Sequence, residues 1–174
     1  MYANLLTKTA AFALVAARVA SAECFAWDQP ALHCYNGPWD SPQDVSVEDV
    51  TYIGNYLRAH GLHDNKFWSM PAEDKANCQE WEVYTYKSAK LLAKHIAPKS
   101  NSSVLYEDIA NTIDGGASRD EVGPAIIQCL ADGGFAGVIF NPLNPLYNTD
   151  EYKKERKTPE GILLKIVATA PEEL

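Results

Sequence analysis

The chain has 174 residues, with 15 Lys and Arg against 23 Asp and Glu and a formal net charge of −8. A surface of that sign repels phosphate backbones and anionic headgroups, which excludes nucleic acid and anionic membrane as natural partners. No segment reaches the run of about 20 apolar residues needed to span a bilayer.

Residues 1–19 contain Lys8 and the apolar stretch 10–17, followed by Ala20-Ser21-Ala22. Small residues at the two positions read by a signal peptidase predict an export signal over 1–22, cleaved before Glu23. What remains, 23–174, is expected to be a single secreted, extracellular α+β domain. Lys8 and Arg18 leave with the signal, so 13 basic residues face 23 acidic ones and the net charge becomes −10. Cys24, Cys34, Cys78 and Cys129 all fall in the exported part. An even set in an oxidising compartment predicts two disulfides, and three pairings are open. A bridge closing a long loop contributes about 2–4 kcal/mol. The cysteine spacings are wide and lack a C-x-x-C pair, so zinc is not expected.

Residues 23–45 read as an irregular aromatic arm held by Cys24 and Cys34, with Phe25, Trp27, Tyr35 and Trp39 among turn residues. The expected role of those rings is to fill a small core beside the disulfides. Ser46 and Asp49 mark a helix start of capping-box type. Val47, Val50, Ile53, Tyr56 and Leu57 then recur at helical spacing, predicting a helix over 47–60 that Gly61 stops. Residues 62–77 read as a loop. The stretch 78–86 alternates Trp81, Val83 and Thr85 with Glu82, Tyr84 and Tyr86, the two-faced pattern of a strand, here expected to be the central one.

Ser88 then opens an expected helix with Ala89, Leu92, Ala93 and Ile96 inward, ended by Pro98. Residues 99–103 are polar and hold the only N-x-S/T sequon, at Asn101, so an exposed loop open to glycosylation is expected there. A helix with Leu105, Ile109, Thr112 and Ile113 inward should end at Gly115-Gly116. Another, opened by Ser118 and Glu121 and tolerating Pro124 in its first turn, should carry Val122, Ala125, Ile126, Cys129 and Leu130 on its buried face. Short and long strands follow at 137–140 and 162–167, separated by a long loop over 141–160. The resulting class is α+β, a small antiparallel or mixed sheet with helices packed on one face and disulfides stapling it.

Candidate chemistry is sparse. His60 and His63 lie near Asp64, Glu73 and Asp74, but a metal needs imidazoles that converge, and solvated histidines are the expected reading. His33-Cys34 would suit a thiol nucleophile only if Cys34 were unpaired. Glu107-Asp108 and Asp120-Glu121 read as solvated helix faces, since adjacent helical residues point about 100° apart. The segments Asp114-Gly115-Gly116 and Asp132-Gly133-Gly134 read as helix stops. The run Lys153-Lys154-Glu155-Arg156-Lys157 reads as a solvated basic loop. No G-x-S-x-G elbow, phosphate loop or H-E-x-x-H occurs. Catalytic residues, metal ligands and cofactors are therefore not assigned.

The export signal, the strand Cys78-Gln79-Glu80-Trp81-Glu82-Val83-Tyr84, the 101–116 segment, and the closing Asn144-Pro145-Leu146-Tyr147-Asn148 with 159–167 together resemble the small secreted cysteine-containing effector proteins of filamentous fungi. More distantly, the closing pattern with its preceding helix resembles the smut-fungus killer toxin. That resemblance implies a split βαβ sandwich and a non-enzymatic role, binding a host or competitor protein or cell-surface component. The toxin is cysteine-rich and basic and acts on calcium channels through a basic residue, whereas this chain has four cysteines and is acidic, and no position here matches that residue. A secreted hydrolase of cell-wall polymers, or a structural wall-associated protein, are the alternative classes. The hydrolase would show an acid-lined cleft, and the binder an exposed aromatic surface.

Overall fold

The computed structural model describes residues 29–63, 66–72, 80–116 and 124–170. The expected export signal over 1–22, Cys24, Cys78, the pair Asp120-Glu121 and the expected helix start at 118–121 lie outside the described residues. Among the described residues, two sheets and three α-helices make a mixed α+β fold. The elements in chain order are β1 (His33–Cys34), α1 (Val47–Gly61), β2 (Phe67–Met70), β3 (Glu80–Tyr86), β4 (Ala89–His95), β5 (Asn101–Leu105), α2 (Tyr106–Asp114), β6 (Gly134–Gly137), α3 (Asp150–Lys154), β7 (Lys157–Thr158) and β8 (Ile162–Ala168). Two short 3₁₀ segments, Ile126–Asp132 and Pro145–Asn148, complete the path.

The larger sheet is antiparallel with strand order β1-β6-β8-β4-β3. Its centre is therefore β8, and β3, expected there, is the edge. Chemistry explains the exchange: Ile162, Leu163 and Leu164 are apolar on both faces, as an interior strand requires, whereas β3 alternates glutamates with aromatic residues. Ile162, Leu164 and Ile166 project to one side, where they meet Ala89, Leu91 and Ala93 of β4. Val50, Ile53 and Leu57 of α1 and Ile109, Ala110 and Ile113 of α2 cover that side. Each of the larger aliphatic side chains contributes about 1.5–3 kcal/mol by leaving water.

The two helices approach closely because glycine occupies their contact. A Cβ on Gly54 would lie 2.9 Å from Asp114 Oδ2, and one on Gly61 would lie 3.0 Å from Tyr106 Cβ. Gly61 is thus the last residue of α1, with Leu62 as its cap. Ser46 stands at the N-cap, but its side chain makes no cap hydrogen bond. Asp49, expected to reach back to it, accepts instead from Ser88 Oγ at 2.6 Å, and Ser88 Oγ accepts from Ser46 N–H at 2.9 Å. This ties the start of α1 to the β3–β4 turn and holds the Asp49 carboxyl below its ordinary range.

Several segments depart from their sequence reading. Residues 89–95 form β4 and not a helix. The fully buried set is Ala89, Leu91 and Ala93, at period two, and Leu92 falls on the other face. The hairpin turn at Lys87-Ser88 carried no glycine or asparagine signal, although Lys87 takes a positive φ of 45°. Part of the expected 62–77 loop is β2, paired with β5. The expected polar loop at 99–103 contains the start of β5, in which Ser102 and Ser103 are fully buried. The strand expected at 137–140 lies earlier, at β6, where a Cβ on Gly134 would come within 2.3 Å of the His33 carbonyl oxygen. Residues 126–132 are 3₁₀ turns broken at Leu130, which has φ 53° and is 64% exposed, so the expected regular helix is not formed there. Within that segment Ile126 and Cys129 stay buried, three residues apart as the tighter helix requires.

The smaller sheet has the order β2-β5-β7, antiparallel on one side of β5 and parallel on the other. Its Met70, Trp68 and Val104 face the main core. Leu105 and Phe67 face a satellite core of Tyr147, Tyr152, Phe140 and Leu146. The expected 141–160 loop is therefore largely ordered structure. Thr149 caps α3 by accepting from Tyr152 N–H at 3.3 Å, and β7 closes the small sheet. Cys34 and Cys129 are joined at a Cα–Cα distance of 5.1 Å, bridging 95 residues.

Candidate functional site

Tyr52, Tyr56 and His60 recur every fourth residue of α1, so they stand in one row along the helix. The centroids of Tyr52 and Tyr56 are 6.4 Å apart with planes inclined by 18°; those of Tyr56 and His60 are 6.1 Å apart and inclined by 12°. A second layer lies against the first. Tyr86 stacks on Tyr52 at 3.8 Å and Tyr84 on Tyr56 at 4.1 Å, both within 17° of parallel. The edge of Tyr106 meets His60 at 4.9 Å. Because each helix tyrosine stacks on a different strand tyrosine, the helix rings lie side by side over the strand pair. Tyr52 is 42% and Tyr56 39% exposed.

The second layer depends on an irregularity in β3. The register shifts between Glu82 and Tyr84, so Trp81 opposes Ala93 and Tyr84 opposes Leu91, leaving Val83 as the extra residue. A bulge reverses the alternation. It therefore turns Tyr84 and Tyr86 to the same side as Trp81, under α1, where strict alternation had placed them opposite. The hydroxyl of Tyr84 is pushed above its ordinary pKa, first by burial and then by the neighbouring Tyr52 and Tyr56.

The row meets formal charge only at its start, where Glu48 stands one turn before Tyr52 and Lys87 lies 5.1 Å over Tyr86. Residues 50–57 contain no Lys, Arg, Asp or Glu, in a chain with 23 acidic residues. The next residue, Arg58, folds away from the row to Asp114 at 2.8 Å and Asn111 at 3.1 Å.

From His60 a chain of ring contacts continues through the buried Tyr106 to Trp68, whose centroids lie 6.5 Å apart. It ends in a groove of about 610 Å³ at the edge of β2, lined by Lys66, Phe67, Trp68, Tyr106, Glu151 and Tyr152 among others. One exposed carboxylate, Glu151, lines this groove. The buried Asp108 sits in the satellite core, where it accepts from the Tyr147 hydroxyl and from the Asn141 backbone N–H. Tyr147 in turn accepts from Leu105 N–H at 2.9 Å. Burial pushes the Asp108 carboxyl up to about 6, and burial together with Asp108 raises the Tyr147 hydroxyl. The expected solvated face at Glu107-Asp108 is thus corrected: Asp108 is 4% exposed. A glycosidase needs two carboxyl groups flanking one bond, and the described groove residues do not supply that pair.

The remaining sequence candidates are dispersed. Cys34 is bridged, which removes the thiol reading. His33 instead stacks on Phe135 at 4.9 Å and contacts Asp40 at 3.0 Å. His60 belongs to the aromatic row, while Asp64, Glu73 and Asp74 lie outside the described residues. Among the described residues no cluster of three or more His, Cys, Asp or Glu is placed to hold a metal. Asn101 begins β5 and donates from Nδ2 to the Glu155 carbonyl at 3.0 Å. Lys153 and Lys154 occupy the last turn of α3 opposite Asp150 and Glu151, the arrangement a helix dipole favours, and Lys157 pairs with Glu155. Trp39, expected to fill a small core, is 96% exposed. Among the described residues no helix is long and apolar enough to cross a membrane.

Sequence reasoning listed Tyr56 with the inward stripe and passed over Tyr52. The spacing of Tyr52, Tyr56 and His60 was available as a signal, whereas the bulge that supplies the supporting layer was not. No family model matches the chain, and no curated protein and no solved structure is significantly similar to it.

Proposed function

We propose that this chain is a secreted, non-enzymatic effector or killer-toxin-like protein that acts by binding a cell-surface component of a host or competitor. The observation that carries the reading is the exposed row Tyr52, Tyr56 and His60, backed by a second layer of rings. Planar aromatic side chains supply contact area with little rotamer entropy to lose, and here stacking has already restricted them. The contact surface is this row.

Export is supported by the leader pattern over 1–22 and by the Cys34–Cys129 bridge, which suits an oxidising compartment. A glycan on Asn101 is added before β5 closes, because Ser103 of the sequon is buried in the folded chain.

The test uses protein secreted from a eukaryotic host and labelled at its new N-terminus. The label is expected to be retained on intact plant or fungal cell walls and released when Tyr52→Ala and Tyr56→Ala are combined, with no soluble sugar liberated. Equal retention of both proteins, or steady release of reducing ends, overturns the reading.

A further inference from the structure

We infer that Tyr52, Tyr56 and His60 form a docking surface for the flat face of an extended, uncharged β-1,4-linked polysaccharide. This rests on the binding role proposed above and names its ligand class. A pyranose ring with equatorial hydroxyls presents axial C–H bonds on its faces and hydroxyls at its rim. The C–H face packs against the negative face of an aromatic ring, and the rim is satisfied by polar groups or water.

Three features of the row fit that chemistry. First, the rings repeat at 6.4 and 6.1 Å with planes within 18° of one another, so they offer a flat strip and not a pocket. A β-1,4 chain is itself a flat ribbon of successive rings, whereas an α-1,4 chain coils. Second, Tyr86, Tyr84 and Tyr106 hold the strip from below, so little ordering cost remains on binding. Third, the strip is neutral beyond its start. Residues 50–57 carry no charge on a strongly acidic chain, and Arg58 is engaged by Asp114. Charge is confined to the start of the strip, where Glu48 precedes Tyr52 by one turn and Lys87 stands 5.1 Å over the Tyr86 ring, so no run of one sign is offered to a charged partner. The hydroxyl of Tyr84 is kept neutral by its surroundings, and Asn55 is an exposed amide beside the row.

Chitin and cellulose share this ligand chemistry, and binding to insoluble samples of each separates them, with granular starch as the α-linked control. Depletion from the supernatant is measured at low salt and at 1 M NaCl. The wild type is expected to be depleted by chitin, cellulose or both, but not by starch, and to lose little binding at high salt. Combining Tyr52→Ala with Tyr56→Ala is expected to weaken binding more than about tenfold. Tyr152→Phe, in the satellite core, is expected to leave it unchanged. Circular dichroism establishes that each variant is folded. Should the double variant unfold, His60→Ala, at the end of the row, is expected to weaken binding several-fold.

Failure of wild-type retention on both polysaccharides overturns the inference, as does retention that the row variants do not change. If walls retain the protein through Tyr52 and Tyr56 but lose it after protease treatment, the occupant is a protein. The glycan assignment then fails while the binding function stands. If neither walls nor polysaccharides retain it, both readings fail.

Discussion

Two clusters of aromatic residues in this fold use the same residue type in opposite ways. In the satellite core, Tyr147 and Tyr152 meet edge to face, with planes 75° apart, and are only 6% and 4% exposed. Their hydroxyls are engaged, Tyr147 with Asp108 and Leu105 N–H, Tyr152 with the Ser103 carbonyl at 2.6 Å. On α1 and β3 the rings lie parallel and layered, and the outer ones keep about two-fifths of their surface in water. Edge-to-face packing with bonded hydroxyls fills a volume and fixes a segment; parallel layers with part-exposed outer rings leave contact area unused. On the binding role proposed above, the first cluster serves stability and the second recognition.

That division is most easily broken at Tyr147. Tyr147→Phe leaves the buried Leu105 N–H without its acceptor and Asp108 with the Asn141 N–H alone, and unfolding in urea is expected to show a loss of about 3 kcal/mol. A loss below about 0.5 kcal/mol would contradict a structural role. Tyr152→Phe removes one hydrogen bond to a carbonyl and is expected to cost about 1–2 kcal/mol in the same assay.

The satellite core should also register pH. The native Asp108 carboxyl is raised to about 6 from 3.8, so the folded state binds this proton more tightly than the unfolded chain does. Its contribution therefore grows as pH falls from 7 through 6 and levels off below about 4, amounting to about 1 kcal/mol between pH 7 and 5. The groups acting on it are Tyr147, the Asn141 N–H and the nearby Glu107. The difference between wild type and Asp108→Asn across that range isolates the effect, and a difference independent of pH would contradict it. The smallest stability change is expected on the row: Tyr52→Ala or Tyr56→Ala loses one stacked partner, about 0.5–1.5 kcal/mol.

The sequence was most legible where one pattern had one solution. The periodicity of Val50, Ile53 and Leu57 placed α1, the stop at Gly115, which takes φ 86°, ended α2, and the doubly apolar run from Ile162 marked β8. It misled where two periods fit the same residues. Ala89 and Ala93 satisfy both a helical and an alternating pattern, and only pairing with β8 on one side and β3 on the other decides for a strand. The small sheet was hidden because β2 and β5 are short and polar at Ser69, Ser102 and Ser103, where hydroxyl bonding such as Ser69 with Ser103 at 2.7 Å replaces apolar burial. Of the candidate site, the helix row was readable from spacing alone. Its supporting layer was not, because a one-residue bulge at Val83 reverses which face Tyr84 and Tyr86 occupy.

The most direct test of the division between the two clusters is to follow the eight tyrosines of residues 23–174 at once by NMR of selectively labelled protein while soluble chitohexaose or cellohexaose is added. The account predicts that Tyr52 and Tyr56 shift first and most, Tyr84 and Tyr86 follow, and Tyr147 and Tyr152 stay in place. Shifts confined to Tyr147 and Tyr152, or no tyrosine shift with either sugar, would contradict it.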